Sequence, residues 1–265
     1  MGSSVEPMER RFRCTECGKC CFGLLPLTLD DALKHTGRFP LVVVWTPVRQ
    51  GTRPFGQAAR LGTTVSLGKR KKFAVRVAPT AYIPPSLPCP ALYADGLCSI
   101  HAEKPSRCRT MPFFPYREES DQAQMLTPRS GWECDTSALA PVVYRDKEIV
   151  HHGDFDFELG ALVDQAAILG PYADWLLESV PTLREELVKV SKKKSGGHVV
   201  VNFSTLLPRL PALDVADFAR RKFPVMTAFA AKTAGVPELA EYHRRYRECA
   251  DELAHLIEAR PRAVG

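Results

Sequence analysis

The chain has 265 residues, 45% hydrophobic and 25% charged, with a formal net charge of +6. These are ordinary globular proportions, so wholesale disorder is excluded, and the length allows one or two domains. No run of about 18 apolar residues exists, which excludes a membrane-spanning helix; the longest apolar stretches, such as Leu41–Trp45, are strand-sized.

The first residues carry no apolar core of a secretory signal, and Glu6 stands where a myristoylation motif requires Ser or Thr. The expectation is a soluble cytoplasmic protein with no membrane partner. Thr28 reads as an N-cap with Asp30 and Asp31 in the first turn, and Gly37 reads as a C′ glycine, so a short helix is expected from Leu29 to Thr36. Leu41–Trp45 is a β-branched apolar run and reads as a strand. Thr63–Leu67 and Phe73–Ile83 flank Gly68-Lys69-Arg70-Lys71, a hairpin with a basic tip. Pro79 in the second run makes that strand an edge strand. Pro84, Pro85, Pro88 and Pro90 then break regular structure around Cys89.

The second half reads as helical. Helices are expected over Phe155–Leu169 and Tyr172–Val190, interrupted at Gly170-Pro171 and at Pro181. A short strand follows at Val199–Phe203. Asp214 caps a helix to Lys222, a second runs from Pro224 to Ala234, and Pro237 opens a last helix reaching Ala259. Its positions Leu239, Tyr242, Tyr246, Cys249, Leu253, Leu256 and Ile257 form one buried stripe, which makes Cys249 a core residue. Residues 1–150 hold 21 Lys and Arg against 14 Asp and Glu, and residues 151–265 hold 15 against 16. The composition shift predicts an α+β chain in two parts: a metal-stapled module over 1–150, and a helical region over 151–265 packed on it.

Eight of the nine cysteines lie between Cys14 and Cys134, and four fall within Cys14–Cys21. In a reducing compartment such clustering points to metal rather than disulfides. C-x-x-C lets two thiolates converge on one ion through a tight turn, and Gly18 permits the left-handed backbone that such a turn uses. Cys20 extends the spacing to C-x-x-C-x-x-C, as at the start of a ferredoxin site, with a Cys-Pro placed remotely at Cys89-Pro90. In an extended backbone Cys20 and Cys21 diverge, so Cys20 is expected to join Cys14 and Cys17 while Cys21 either joins the distal cysteines in a second site or packs against the first from outside. Cys89, Cys98, Cys108 and Cys134 supply four further thiols, enough with the first four for two four-cysteine sites. The spacing does not say which thiolates share one.

Taken together, CTECGKCC, then Cys89-Pro90, Cys98 with Ile100, Pro105, Cys108-Arg109, Pro112-Phe113 and finally Cys134 resemble the YkgJ-type cysteine cluster family, described as zinc- or iron-chelating. His101, Lys104 and Met111 depart from that family's usual residues, but no cysteine is replaced. The resemblance implies a ligand set of Cys14, Cys17, Cys20, Cys21, Cys89, Cys98, Cys108 and Cys134. A related group with a similar pattern, the flagellin lysine N-methylases, is thought to hold an iron–sulfur cluster. The reading is an iron–sulfur cluster, 4Fe-4S, serving redox or protein-modification chemistry with an unidentified protein or redox partner. The alternative is structural zinc in a module for protein or nucleic-acid interaction.

Arg107 and Arg109 flank Cys108, and a cation beside clustered thiolates offsets their charge. Arg109 is read as the residue supporting the cofactor, or else as a partner of Glu103 or Asp135. His101 reads as packing or hydrogen bonding beside the site rather than as a ligand. His151 and His152 open a helix whose first turn is acidic. The basic stretch 49–76 is a candidate surface for an anionic partner. No G-x-G-x-x-G, P-loop or G-x-S-x-G occurs, which argues against a Rossmann-type enzyme.

Overall fold

The computed structural model describes residues 8–258. Strands β1 (Glu9–Arg11) and β2 (Leu25–Pro26) precede helix α1 (Leu29–Lys34), β3 (Leu41–Arg49), α2 (Phe55–Arg60), β4 (Thr63–Gly68) and β5 (Lys71–Ala81). The next sixty residues hold one short helix, α3 (Ser106–Thr110), and 3-10 turns at His101–Glu103 and Glu119–Leu126. Then come β6 (Val142–Arg145), β7 (Glu148–Ile149), α4 (Gly153–Ser179), α5 (Pro181–Lys192), β8 (Val199–Asn202), α6 (Val215–Thr233) and α7 (Ala240–Glu258). The fold is α+β, with strands dominating the first half and helices the second. Among the described residues no helix is long and apolar enough to cross a membrane.

The main sheet is antiparallel, in the order β2-β5-β3-β8, and β4 also pairs with β5. Leu41 to Trp45 are all buried, as a strand covered on both faces requires. β3 pairs with β5 from Leu41 opposite Ala81 to Arg49 opposite Phe73, and with β8 from Val42 opposite Asn202 to Trp45 opposite Val199. Strand β8 thus completes a sheet begun in the first half, and one core joins Trp45, Val77 and Ile83 to Tyr172, Phe218 and Tyr246. A smaller sheet, β1-β6-β7, closes over a second core around Phe12, Phe113, Tyr144 and Phe155.

Four local expectations are corrected. Pro79 does not put β5 at an edge: β3 flanks it on one side, and β4 and β2 share the other. The carbonyl of Pro79 accepts from Leu27 N at 2.8 Å, so its nitrogen also faces β2, and the ladder with β3 loses nothing. Gly37 is not a left-handed cap, because α1 ends at Lys34 with His35 capping it. The N-cap at Thr28 holds, its hydroxyl accepting from Asp31 N at 3.1 Å. Pro171 lies inside one continuous α4 and Pro224 inside one continuous α6. Leu169, Tyr172 and Ala173 flank the first proline, and Lys222 and Met226 the second, all buried, so packing outweighs a lost backbone bond. The break falls at Pro181, the first residue of α5. Pro237 opens a 3-10 turn that leads into α7; Ala259 lies outside the described residues.

Candidate metal centre

The N-terminal cysteines sit on a turn pinned to the far end of the cysteine-rich segment. Arg13 and Asp135 form an isolated antiparallel bridge, with Arg13 N donating to Asp135 O at 2.8 Å and Asp135 N to Arg13 O at 3.0 Å. Cys14 and Cys134 are therefore neighbours, although 120 positions separate them. The Thr15 hydroxyl donates to Glu133 O at 3.0 Å, and Lys19 pairs with Glu133 at 3.7 Å. Glu16 N donates to the Cys14 Sγ at 3.4 Å, the amide-to-sulfur bond of a C-x-x-C knuckle. Gly18 has φ +69°, and a Cβ there would meet Gly96 O at 2.9 Å. The knuckle lies directly on the turn that connects Cys89 to Cys98.

That second segment is built the same way. Phe22 bridges Pro88, and Cys89 N donates to Cys21 O at 2.7 Å. Ala91 N donates to the Cys89 Sγ at 3.4 Å, a second amide-to-sulfur bond. Leu92 bridges Cys98 and Ser99 N donates to Ala91 O at 2.7 Å, closing a small hairpin. Cys108 comes from α3, whose first residue, Ser106, donates its N–H to the Asp31 carboxylate at 2.9 Å.

The thiols feel one another. Burial, then the charges of Cys89 and Cys20, pushes the Cys108 thiol up to about 12. Burial raises Cys89 as well, opposed by the Ala91 N–H and reinforced by Cys98 and Cys20. Cys20 is exposed as a residue, yet its thiol is raised first by Cys21 and then by burial of the sulfur. Cys134 is raised by burial and then by Cys17, Cys14 and Cys20. At Cys17 burial pushes upward, but the N–H groups of Lys19 and Glu133 and the Thr15 hydroxyl outweigh it and hold the thiol below its ordinary range. Cys20 and Cys98 thus act on both Cys89 and Cys108, and Cys17, Cys14 and Cys20 act on Cys134. The expected divergence of Cys20 and Cys21 is corrected. They sit in a turn, closed by Cys21 N donating to Gly18 O at 2.9 Å, where alternation does not apply. Among the described residues no three His, Cys, Asp or Glu side chains form a finished metal-holding group; the thiols are gathered as neighbours. Cys249 stands apart, buried on α7, its Sγ 3.1 Å from Asn202 Oδ1.

Residues 13–129 match the family model CxxCxxCC, described as "Putative zinc- or iron-chelating domain". The likeness to that family covers less than half of the chain. No curated protein and no solved structure matches the chain. The matched segment includes seven of the eight clustered cysteines, and Cys134 lies just beyond it, tied back by the Arg13–Asp135 bridge.

The two arginines that flank Cys108 have different partners. Arg109 pairs with neither Glu103 nor Asp135; it faces Asp154 at 3.7 Å and stacks on Phe157 at 4.8 Å, while those acids pair with Lys34 and Arg13. Its position borders a cavity of about 270 Å³ with Thr110, Phe113 and His151. The cation facing Cys108 is Arg107. It is 3% exposed, pairs with buried Glu158 at 3.3 Å, donates to Phe113 O and stacks on Phe114, and its charge lowers the Cys108 thiol. The sequence signal was helical spacing: Ser106, Arg107 and Thr110 share the buried face of α3. His101 contacts Glu16 at 3.5 Å, bridging the two cysteine segments from outside. His152 pairs with Glu119 at 3.0 Å and Asp156 at 3.3 Å as a helix-start residue.

Proposed function

We propose that the clustered cysteines of this domain hold iron as an iron–sulfur cluster of the 4Fe-4S type, in a cytoplasmic, reducing setting. The observation that carries this reading is the convergence of the cysteine-bearing segments: the Arg13–Asp135 bridge brings Cys14 beside Cys134, and Cys89 N donates to Cys21 O at 2.7 Å. Thiolates without carboxylate or imidazole select soft-metal chemistry, and the amide-to-sulfur bonds at Cys14 and Cys89 offset negative charge on the donors. Cys14, Cys17 and Cys134, with Cys21 beside Cys20, supply the donors of a second set. Arg107 contributes a fixed, buried cation at Cys108, and Glu158 holds that cation in place. Such a cluster supplies one-electron transfer to redox or protein-modification chemistry.

The same N–H-supported knuckles suit zinc, which gives the second reading, a structural zinc module. Protein purified without oxygen decides between them by its visible spectrum and its iron, zinc and acid-labile sulfide per chain. The iron–sulfur reading expects a brown protein with iron and sulfide in equal amounts. A colourless protein with stoichiometric zinc and no sulfide overturns it in favour of zinc.

A further inference from the structure

Two basic runs, Lys69–Lys72 and Lys192–Lys194, stand far apart in the chain and take no part in the cysteine site. The fold brings them to one end of the main sheet. Arg49 ends β3 opposite Phe73, so Lys72, Lys71 and the turn residues Lys69 and Arg70 overhang it as a two-stranded ribbon. Arg49 also fixes the other run: its Nε donates to Ser191 O at 2.9 Å and its Nη2 to Lys193 O. From α5, Arg184 donates to Ser66 O at 3.0 Å, which ties the helix to β4. With about 3.3 Å per residue and 4.8 Å between strands, the cations cover a surface on the order of 10 Å by 10 Å.

Three features mark this surface. All seven Lys and Arg of the two runs are exposed, and among the described residues none of them has a carboxylate within ion-pair distance. Like charges left together repel, so the fold tolerates a cost here. The ribbon turn places Lys69 at φ 45° and Arg70 at φ 63°, positions where Asn-Gly is the easy choice and a long side chain is sterically opposed. A shallow groove of about 420 Å³ beside the turn adds Gln50, Thr64 and Ser66 as neutral hydrogen-bonding groups to Arg70, Lys71 and Lys72.

We propose that this end of the sheet docks a nucleic-acid duplex through its phosphate backbone. Unpaired cations interleaved with hydroxyl and amide groups are the donors that phosphate oxygens accept from, and a two-stranded β-ribbon fits the width of a major groove. Leu67 is the one large apolar side chain exposed on the ribbon among the described residues, too little for insertion into a lipid surface. Phe55 is the aromatic beside it, half-buried under Lys72 at 5.8 Å rather than displayed as an interface anchor.

The test is fluorescence anisotropy of the full chain with a labelled duplex, titrated between about 50 and 200 mM salt, where three to five phosphate contacts predict an affinity loss of roughly 40- to 500-fold. The triple variant Lys69→Gln/Arg70→Gln/Lys72→Gln should lower the salt slope by about 0.9 for each contact removed. Lys192→Gln/Lys193→Gln/Lys194→Gln, altered outside any strand, should do the same with an unchanged circular dichroism spectrum. Arg220→Gln, exposed on α6, should bind as the parent does. The proposal is overturned by absent or salt-independent binding, by both triple variants binding like the parent, or by tighter binding to phosphatidylserine vesicles or polyglutamate than to the duplex.

Discussion

Gly18 shows how one residue decides whether two cysteine segments meet. Its φ of +69° already disfavours any side chain, and the space a methyl would take lies 2.9 Å from Gly96 O and 3.2 Å from Leu92 Cδ1. Gly18→Ala therefore combines a left-handed cost of about 1–2 kcal/mol with a backbone collision that lifts the knuckle off the Cys89–Cys98 hairpin. The expected outcome is a protein that folds but retains less metal per chain. Gly37→Ala is the control: a methyl there would meet nothing within 4 Å and its φ is ordinary, so metal content should stay at the parental level. Equal metal in both variants would show that the knuckle's seat on the hairpin is unimportant. At this scale the cysteines were legible, because C-x-x-C spacing is a local constraint written in four residues. Arg107 was not. Seeing that Arg107 and not Arg109 is the buried, paired arginine requires knowing that α3 turns Ser106, Arg107 and Thr110 toward α4, where Glu158 waits, and that contact spans 51 positions.

The elements most legible in the sequence were those specified by their own residues. The Thr28 and Asp214 caps, the Leu41–Trp45 strand and the hairpin around Lys69-Arg70 all stand where local chemistry puts them. Prolines misled, because their effect depends on surroundings that sequence does not display. Pro79 is harmless where its nitrogen faces away from the β3 ladder. Pro171 and Pro224 are carried by buried neighbours on both sides. The cost they impose is nonetheless present. Pro224 is exposed on α6, so Pro224→Ala removes no packing and restores one backbone hydrogen bond. The expected gain is up to about 3 kcal/mol, reduced by the looser unfolded chain, and appears as a higher urea midpoint with an unchanged slope. A lower midpoint would mean that Pro224 is itself required for α6 to lie against α7.

At the scale of the whole molecule, two kinds of order coexist. The main sheet and helices α4 to α7 share one core, and β3 alone is paired along nine residues with β5 and along four with β8. The composition shift near residue 150 gives no hint of that pairing, since partners across a sheet leave no mark on either segment's composition. The stretch from Pro84 to Cys134 is different: its regular structure amounts to α3 and two 3-10 turns, and its fixed points are single bridges such as Leu92–Cys98 and Arg13–Asp135. Isolated bridges leave amides open to local unfolding, whereas a long buried ladder exchanges only when the core opens. With the proposed metal bound, its ligands restrain these loops and their amides gain protection. Hydrogen exchange followed by mass spectrometry, with and without a chelator under reducing conditions, reads this directly. Stripping metal should speed exchange at Cys89 and Asp135, whose N–H groups bond to Cys21 O and Arg13 O across the cysteine segments, and at Leu92 and Ser99 within the Cys89–Cys98 hairpin, and leave Val42–Trp45 and Val75–Ala78 unchanged. A uniform rise across both groups would show that metal holds the entire fold as one cooperative unit, and the division into a stapled layer on a self-sufficient core would fall.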